Sequence, residues 1–60
     1  MTESREIAEN LVAKHGNPGD LNQRQMRTWF ATVWPDWRES IGWQQTDNII
    51  DELMAIGRGL

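Results

Sequence analysis

Four tryptophans, Trp29, Trp34, Trp37 and Trp43, fall between positions 29 and 43 of a 60-residue chain that has no cysteine and no tyrosine. An aromatic side chain buries roughly 150–250 Å². A chain of this length buries only about 60% of the surface that its unfolded form exposes. Either the four rings make up nearly the whole core, or at least one of them faces outward as an anchor for a partner. Small chains commonly draw stability from disulfides or zinc. Without cysteine, no disulfide or thiolate-ligated metal is available here. Efficient helix packing and self-association are the routes left.

Hydrophobic periodicity predicts helices throughout. Ile7, Ala8, Leu11, Val12 and His15 follow the spacing of one helical face, with Thr2 or Ser4 as cap and Gly16 as stop. Asn17-Pro18-Gly19-Asp20 has the residues of a type II turn. Asp20 and Gln23 then have the spacing of a capping box. Met26, Trp29, Phe30 and Val33 form the stripe of a second helix, and Trp34 continues it. Pro35 disfavours helical backbone at Trp34 and suits the first position of a short third helix with Trp37 and Ile41 inward. Trp43-Gln44-Gln45 reads as a connector. Thr46 or Asn48 then caps a last helix with the stripe Ile49, Ile50, Leu53, Met54, which Gly57 terminates.

The fold expected is all-α: a compact three-helix bundle with an additional short helix, the helices running over about 3–15, 21–33, 36–41 and 47–57. The whole chain, 1–60, reads as a single small helical domain. No alternating β-branched run or two-residue hairpin turn competes.

Charge is unevenly placed. Residues 1–13 carry three acids against one base, residues 14–38 four bases against two acids, and residues 39–60 four acids against one base, for a total of −3. A basic middle is thus flanked by acidic ends. No apolar run is long enough to span a membrane. The polar, acidic start, Met1 to Glu6, reads as a natural N-terminus without a secretory signal, so a cytoplasmic location is expected.

Chemistry is thinly supplied. One histidine, His15, and no cysteine cannot build a closed zinc site. Asp47, Asp51 and Glu52 lack the calcium-loop pattern and read as compensation of the helix dipole. No catalytic residue, metal ligand or cofactor is assigned, and the chain is expected not to be an enzyme.

Binding is the remaining class, and another protein is the leading partner. Interfaces enrich tryptophan and arginine, and their strongest contacts favour both. Trp34, Trp37, Arg38 and Trp43 lie in or beside the short helix and form the expected protein-binding surface, with Arg24 and Arg27 as its rim. The alternative is a helix-turn-helix-like DNA-binding regulator that uses the polar face of the second helix: Asn22, Arg24, Gln25, Arg27 and Thr28. The acidic total weighs against it, because DNA-binding domains are usually basic. A third reading is a self-associating structural protein, such as a homodimer, since a marginal chain gains stability by association. The overall pattern resembles small helical regulatory proteins of phage, plasmids and bacteria, but no motif carries a particular function across.

Overall fold

The computed structural model describes residues 3–59. It contains four helices, α1 (Glu3–His15), α2 (Gln23–Val33), α3 (Trp37–Ser40) and α4 (Trp43–Gly57), with no strand among the described residues. The all-α expectation is met. α4 packs against both α1 and α2 and is the central element.

The reason lies in α4's sequence. Thr46, Ile49, Ile50 and Leu53 are fully buried, and their i, i+3, i+4, i+7 spacing makes one continuous face. Thr46 was expected as a helix cap. Instead its hydroxyl donates to the Gly42 carbonyl at 2.9 Å, one turn back inside the helix. That bond satisfies the hydroxyl internally, so Thr46 enters the core without an unpaired polar group. α4 therefore begins at Trp43, and Trp43-Gln44-Gln45 is its first turn rather than a connector. With this start, Asp47 and Asp51 lie beyond the first turn, where the helix dipole is felt most. Asp47 instead pairs with Arg27 at 2.8 Å.

α1 begins and ends where its spacing predicts. Its buried positions are Ser4 and Ala8. Both are small and four apart, which lets α1 approach α4 closely. Ser4 thus lies inside the helix instead of capping it, and Thr2 lies outside the described residues. Ile7, Leu11 and Val12 pack at the core's edge, while His15 is exposed.

α2 starts two residues later than its stripe suggests. Asn22, not Asp20, is the cap: its side chain accepts from Gln25 N at 2.8 Å, and Gln25 Oε1 accepts from Asn22 N at 3.1 Å. Removing the cap oxygen with Asn22→Ala is expected to cost about 1 kcal/mol in urea unfolding. An unchanged unfolding midpoint would contradict the cap's role.

Asp20 is drawn elsewhere. The loop before α2 lies on the C-terminal end of α4, where Asn17 Nδ2 donates to the Ile56 carbonyl at 3.5 Å and Asp20 pairs with Arg58 at 3.5 Å. Gly19 has the positive φ, +91°, that the Pro-Gly pair predicts. Its N–H donates to Asn17 Oδ1 at 2.8 Å, so a side-chain oxygen closes the turn. Gly57 is the last helical residue and does not adopt a stop conformation. Gly59, with φ +84°, takes that role, donating to the Ile56 carbonyl at 3.0 Å.

Candidate functional site

Pro35 organises the aromatic residues. It holds Trp34 out of the helix at φ −138°, ψ 75°, while the Trp34 N–H still closes α2 on the Phe30 carbonyl at 3.0 Å. The chain turns through Pro35 and Asp36 into α3, which is shorter than the expected 36–41. Because the helical phase breaks between them, Trp34 and Trp37 do not share one side. Trp34 lines an open cleft of about 250 Å³ between α1 and the end of α2, with Ile7, Leu11 and Val33 on its apolar side and Asn10, Lys14 and His15 on its polar side. Trp37 turns into the core and retains 6% of its exposure. Phe30 meets both rings, with centroids 5.7 Å from Trp34 and 5.8 Å from Trp37.

Gly42 then allows α4 to begin directly after α3. This places Trp43 edge-on against Trp37, with centroids 5.1 Å apart and planes at 81°. Trp43 is 63% exposed and is the exposed large hydrophobic residue among those described. Arg38 completes the arrangement. Its guanidinium carbon lies 5.3 Å from the Trp37 ring centre and 5.7 Å from that of Trp43. Both are within the ~6 Å reach of a cation–π contact, which is stronger over tryptophan than over the other rings.

This pair borders a groove of about 560 Å³. One wall is a face of α2 at helical spacing, Arg24, Arg27, Thr28, Ala31 and Thr32, and Pro35 continues it towards Arg38, Trp37 and Trp43. Three arginines line the groove, and among the described residues no carboxylate does. Two threonine hydroxyls are turned to their own backbone: Thr28 donates to the Arg24 carbonyl at 3.1 Å and Thr32 to the Thr28 carbonyl at 2.9 Å.

The structure brings Trp37, Arg38 and Trp43 together and separates Trp34 from them. The residues considered for nucleic acid are also divided. Asn22 and Gln25 are joined in the cap of α2, Arg27 is paired with Asp47, and the Thr28 hydroxyl is bonded to backbone. Arg24 has no ion pair among the described residues. The basic wall, expected from the sequence as the rim of the tryptophan surface, and that surface itself are two sides of one groove. Ala31, Thr32 and Pro35 also contribute to it and were not anticipated. Arg24, Arg27 and Thr28 were legible as a polar helical face, but the groove they form with Trp43 was not.

Among the described residues no group of three or more His, Asp or Glu side chains is placed to hold a metal ion. Among the described residues no helix is long and apolar enough to cross a membrane.

Fold and surface together define a small all-α chain with an arginine-lined groove bordered by an exposed indole. Comparison with protein-family models, with curated proteins and with solved structures finds no match for the chain.

Proposed function

We propose that this chain is a small non-enzymatic regulatory or adaptor protein that binds another protein through the groove bordered by Trp43 and Arg38. The observation that carries the reading is the exposure of Trp43, 63%, next to a core that already contains Trp37 and Phe30. An indole left in water forgoes a large burial energy, at about 25 cal/mol per Å². A partner that covers it recovers that energy. Arg38 stacks on the same ring, and tryptophan and arginine are the side chains that most often dominate protein interfaces.

The groove's ionisable groups are arginines. An arginine stays protonated and cannot serve as a base, which supports binding over catalysis. Nucleic acid remains the second reading, favoured by the three arginines that line the groove. Against it stand the Arg27–Asp47 pair and the net charge of −3.

The test is capture from a lysate of the native host on immobilised chain, with and without nuclease, using wild type and Trp43→Ala. The expected result is a protein retained in near-stoichiometric amount after nuclease and lost from the Trp43→Ala column. Retention that vanishes with nuclease would favour nucleic acid. Equal retention by the two columns would remove Trp43 from the interface.

A further inference from the structure

We infer that the groove takes a short acidic segment of a partner protein, with an apolar side chain seated on Trp43 and carboxylates paired with Arg38 and Arg24. The inference rests on the protein-binding reading and adds to it the chemistry of the bound segment.

Charge complementarity is the first support. The groove is lined by arginines and, among the described residues, by no acid. Arg27 is already paired with Asp47 at 2.8 Å. Arg24 and Arg38 have no carboxylate partner among the described residues. Arg38 is also held in place by its two indoles, at 5.3 and 5.7 Å. Its charge is thus fixed beside the ring that would receive the apolar side chain, and little rotamer freedom remains to be lost on binding. Carboxylates meet guanidinium groups through charge-assisted, often bidentate, hydrogen bonds.

The dimensions fix the kind of segment. From Arg24 to Thr32 the α2 wall is ~12 Å long at 1.5 Å per residue. An extended chain covers that in about four residues at ~3.3 Å each. The donors of Thr28 and Thr32 are committed to backbone carbonyls, so the hydroxyl oxygens are left as acceptors. Such oxygens suit the N–H groups of an extended peptide.

Size also separates a peptide from a nucleic-acid strand. A short segment stays within the arginine-lined groove. A strand continuing past it would meet the acidic remainder of a chain whose net charge is −3. At physiological salt, charges interact over a screening length of about 8 Å, so a segment confined to the groove is governed by the arginines near it.

The experiment is selection from a displayed random-peptide library on the immobilised full chain, with the selected peptides then titrated against wild type, Trp43→Ala and the Arg24→Gln/Arg38→Gln double variant. Expected are peptides with Asp or Glu flanking an apolar residue. Their affinity should fall about a hundredfold for the double variant, roughly tenfold for each lost charge-assisted hydrogen bond, and should also fall with Trp43→Ala and with added salt. Circular dichroism of each variant establishes that it is folded. Peptides that depend on Trp43 but carry no acidic bias would overturn the acidic segment and leave the binding surface standing. Selected peptides indifferent to Trp43 and both arginines would overturn the groove itself, and so would a selection that returns none. Tighter Trp43-dependent binding of a single-stranded oligodeoxynucleotide would replace the peptide with nucleic acid. Melting that depends on concentration and loses that dependence in Trp43→Ala would replace it with a second copy of the chain.

Discussion

Trp37→Ala is expected to lower the chain's stability by about 3–5 kcal/mol. Trp37 is 6% exposed, and its ring meets Phe30 at 5.8 Å and Trp43 at 5.1 Å. Truncating a buried tryptophan to alanine costs about 3–5 kcal/mol, from lost transfer energy and the cavity left behind. Stability of roughly 0.05–0.15 kcal/mol per residue gives a 60-residue chain only about 3–9 kcal/mol in total. The substitution therefore removes a third or more of the stability, and all of it at the lower bound. A urea midpoint far below that of wild type, or no cooperative transition at all at the lower bound, is the readout. A Trp37→Ala chain that unfolds at the wild-type urea concentration would show that α3 is not part of the core.

Gly57→Ala is expected to destabilise the fold by about 1–3 kcal/mol, the usual cost of forcing extra atoms into a packed site. Helix propensity alone gives the opposite sign, since alanine is favoured over glycine by roughly 1 kcal/mol inside a helix. The difference is steric. A Cβ at Gly57 would overlap the Gly19 carbonyl oxygen and crowd its carbon. That carbonyl is backbone, and it already accepts from Leu21 N at 3.0 Å. It cannot withdraw without disturbing the neighbouring Asn17–Ile56 and Asp20–Arg58 contacts. Valine at 57 would cost more. A rise in melting temperature for Gly57→Ala would mean that the loop gives way freely and that propensity decides.

These two positions show what the chain's pattern revealed and what it concealed. α1 and the stripe of α2 were legible because each has a 3.6-residue apolar period and a clear stop, Gly16 or Pro35. The start of α2 was ambiguous by local rules. Asp20 with Gln23 and Asn22 with Gln25 have the same capping-box spacing, and only docking of the loop on α4 selects the second. α4's start was hidden because Gly42 reads as the end of one helix, while Trp43-Gln44-Gln45 offers no side-chain cap. Burial of Thr46, a tertiary effect, extends the helix back to Trp43. Gly57 looked like a helix stop, yet the neighbour that requires glycine there lies at Gly19, far away in sequence.

The tryptophans divide for the same reason. Spacing places Trp34 and Trp37 on one side only if the turn between them is helical. Pro35 breaks that phase, sending Trp34 to the cleft against α1 and Trp37 to the core. Trp43 is outward because α4 begins there and Trp37 already fills the space inside it. Likewise the arginines and the indole were each visible in the sequence, but the groove they share follows from how α3 reverses the chain.

The most direct test of the claim that Trp43 is held out for a partner, and not for the fold, is urea unfolding of Trp43→Ala beside wild type. Trp43 is 63% exposed, and the contacts it loses are an edge-on aromatic pair, worth about 0.5–1.5 kcal/mol, and the exposed Arg38 cation–π contact, worth about 0.5–1 kcal/mol. The expected result is a cooperative transition with a loss of no more than about 2 kcal/mol, because alanine's better helix propensity offsets part of those contacts. A loss near the ~3–5 kcal/mol of a buried tryptophan would contradict the claim, making all four indoles structural and leaving the groove without its anchor.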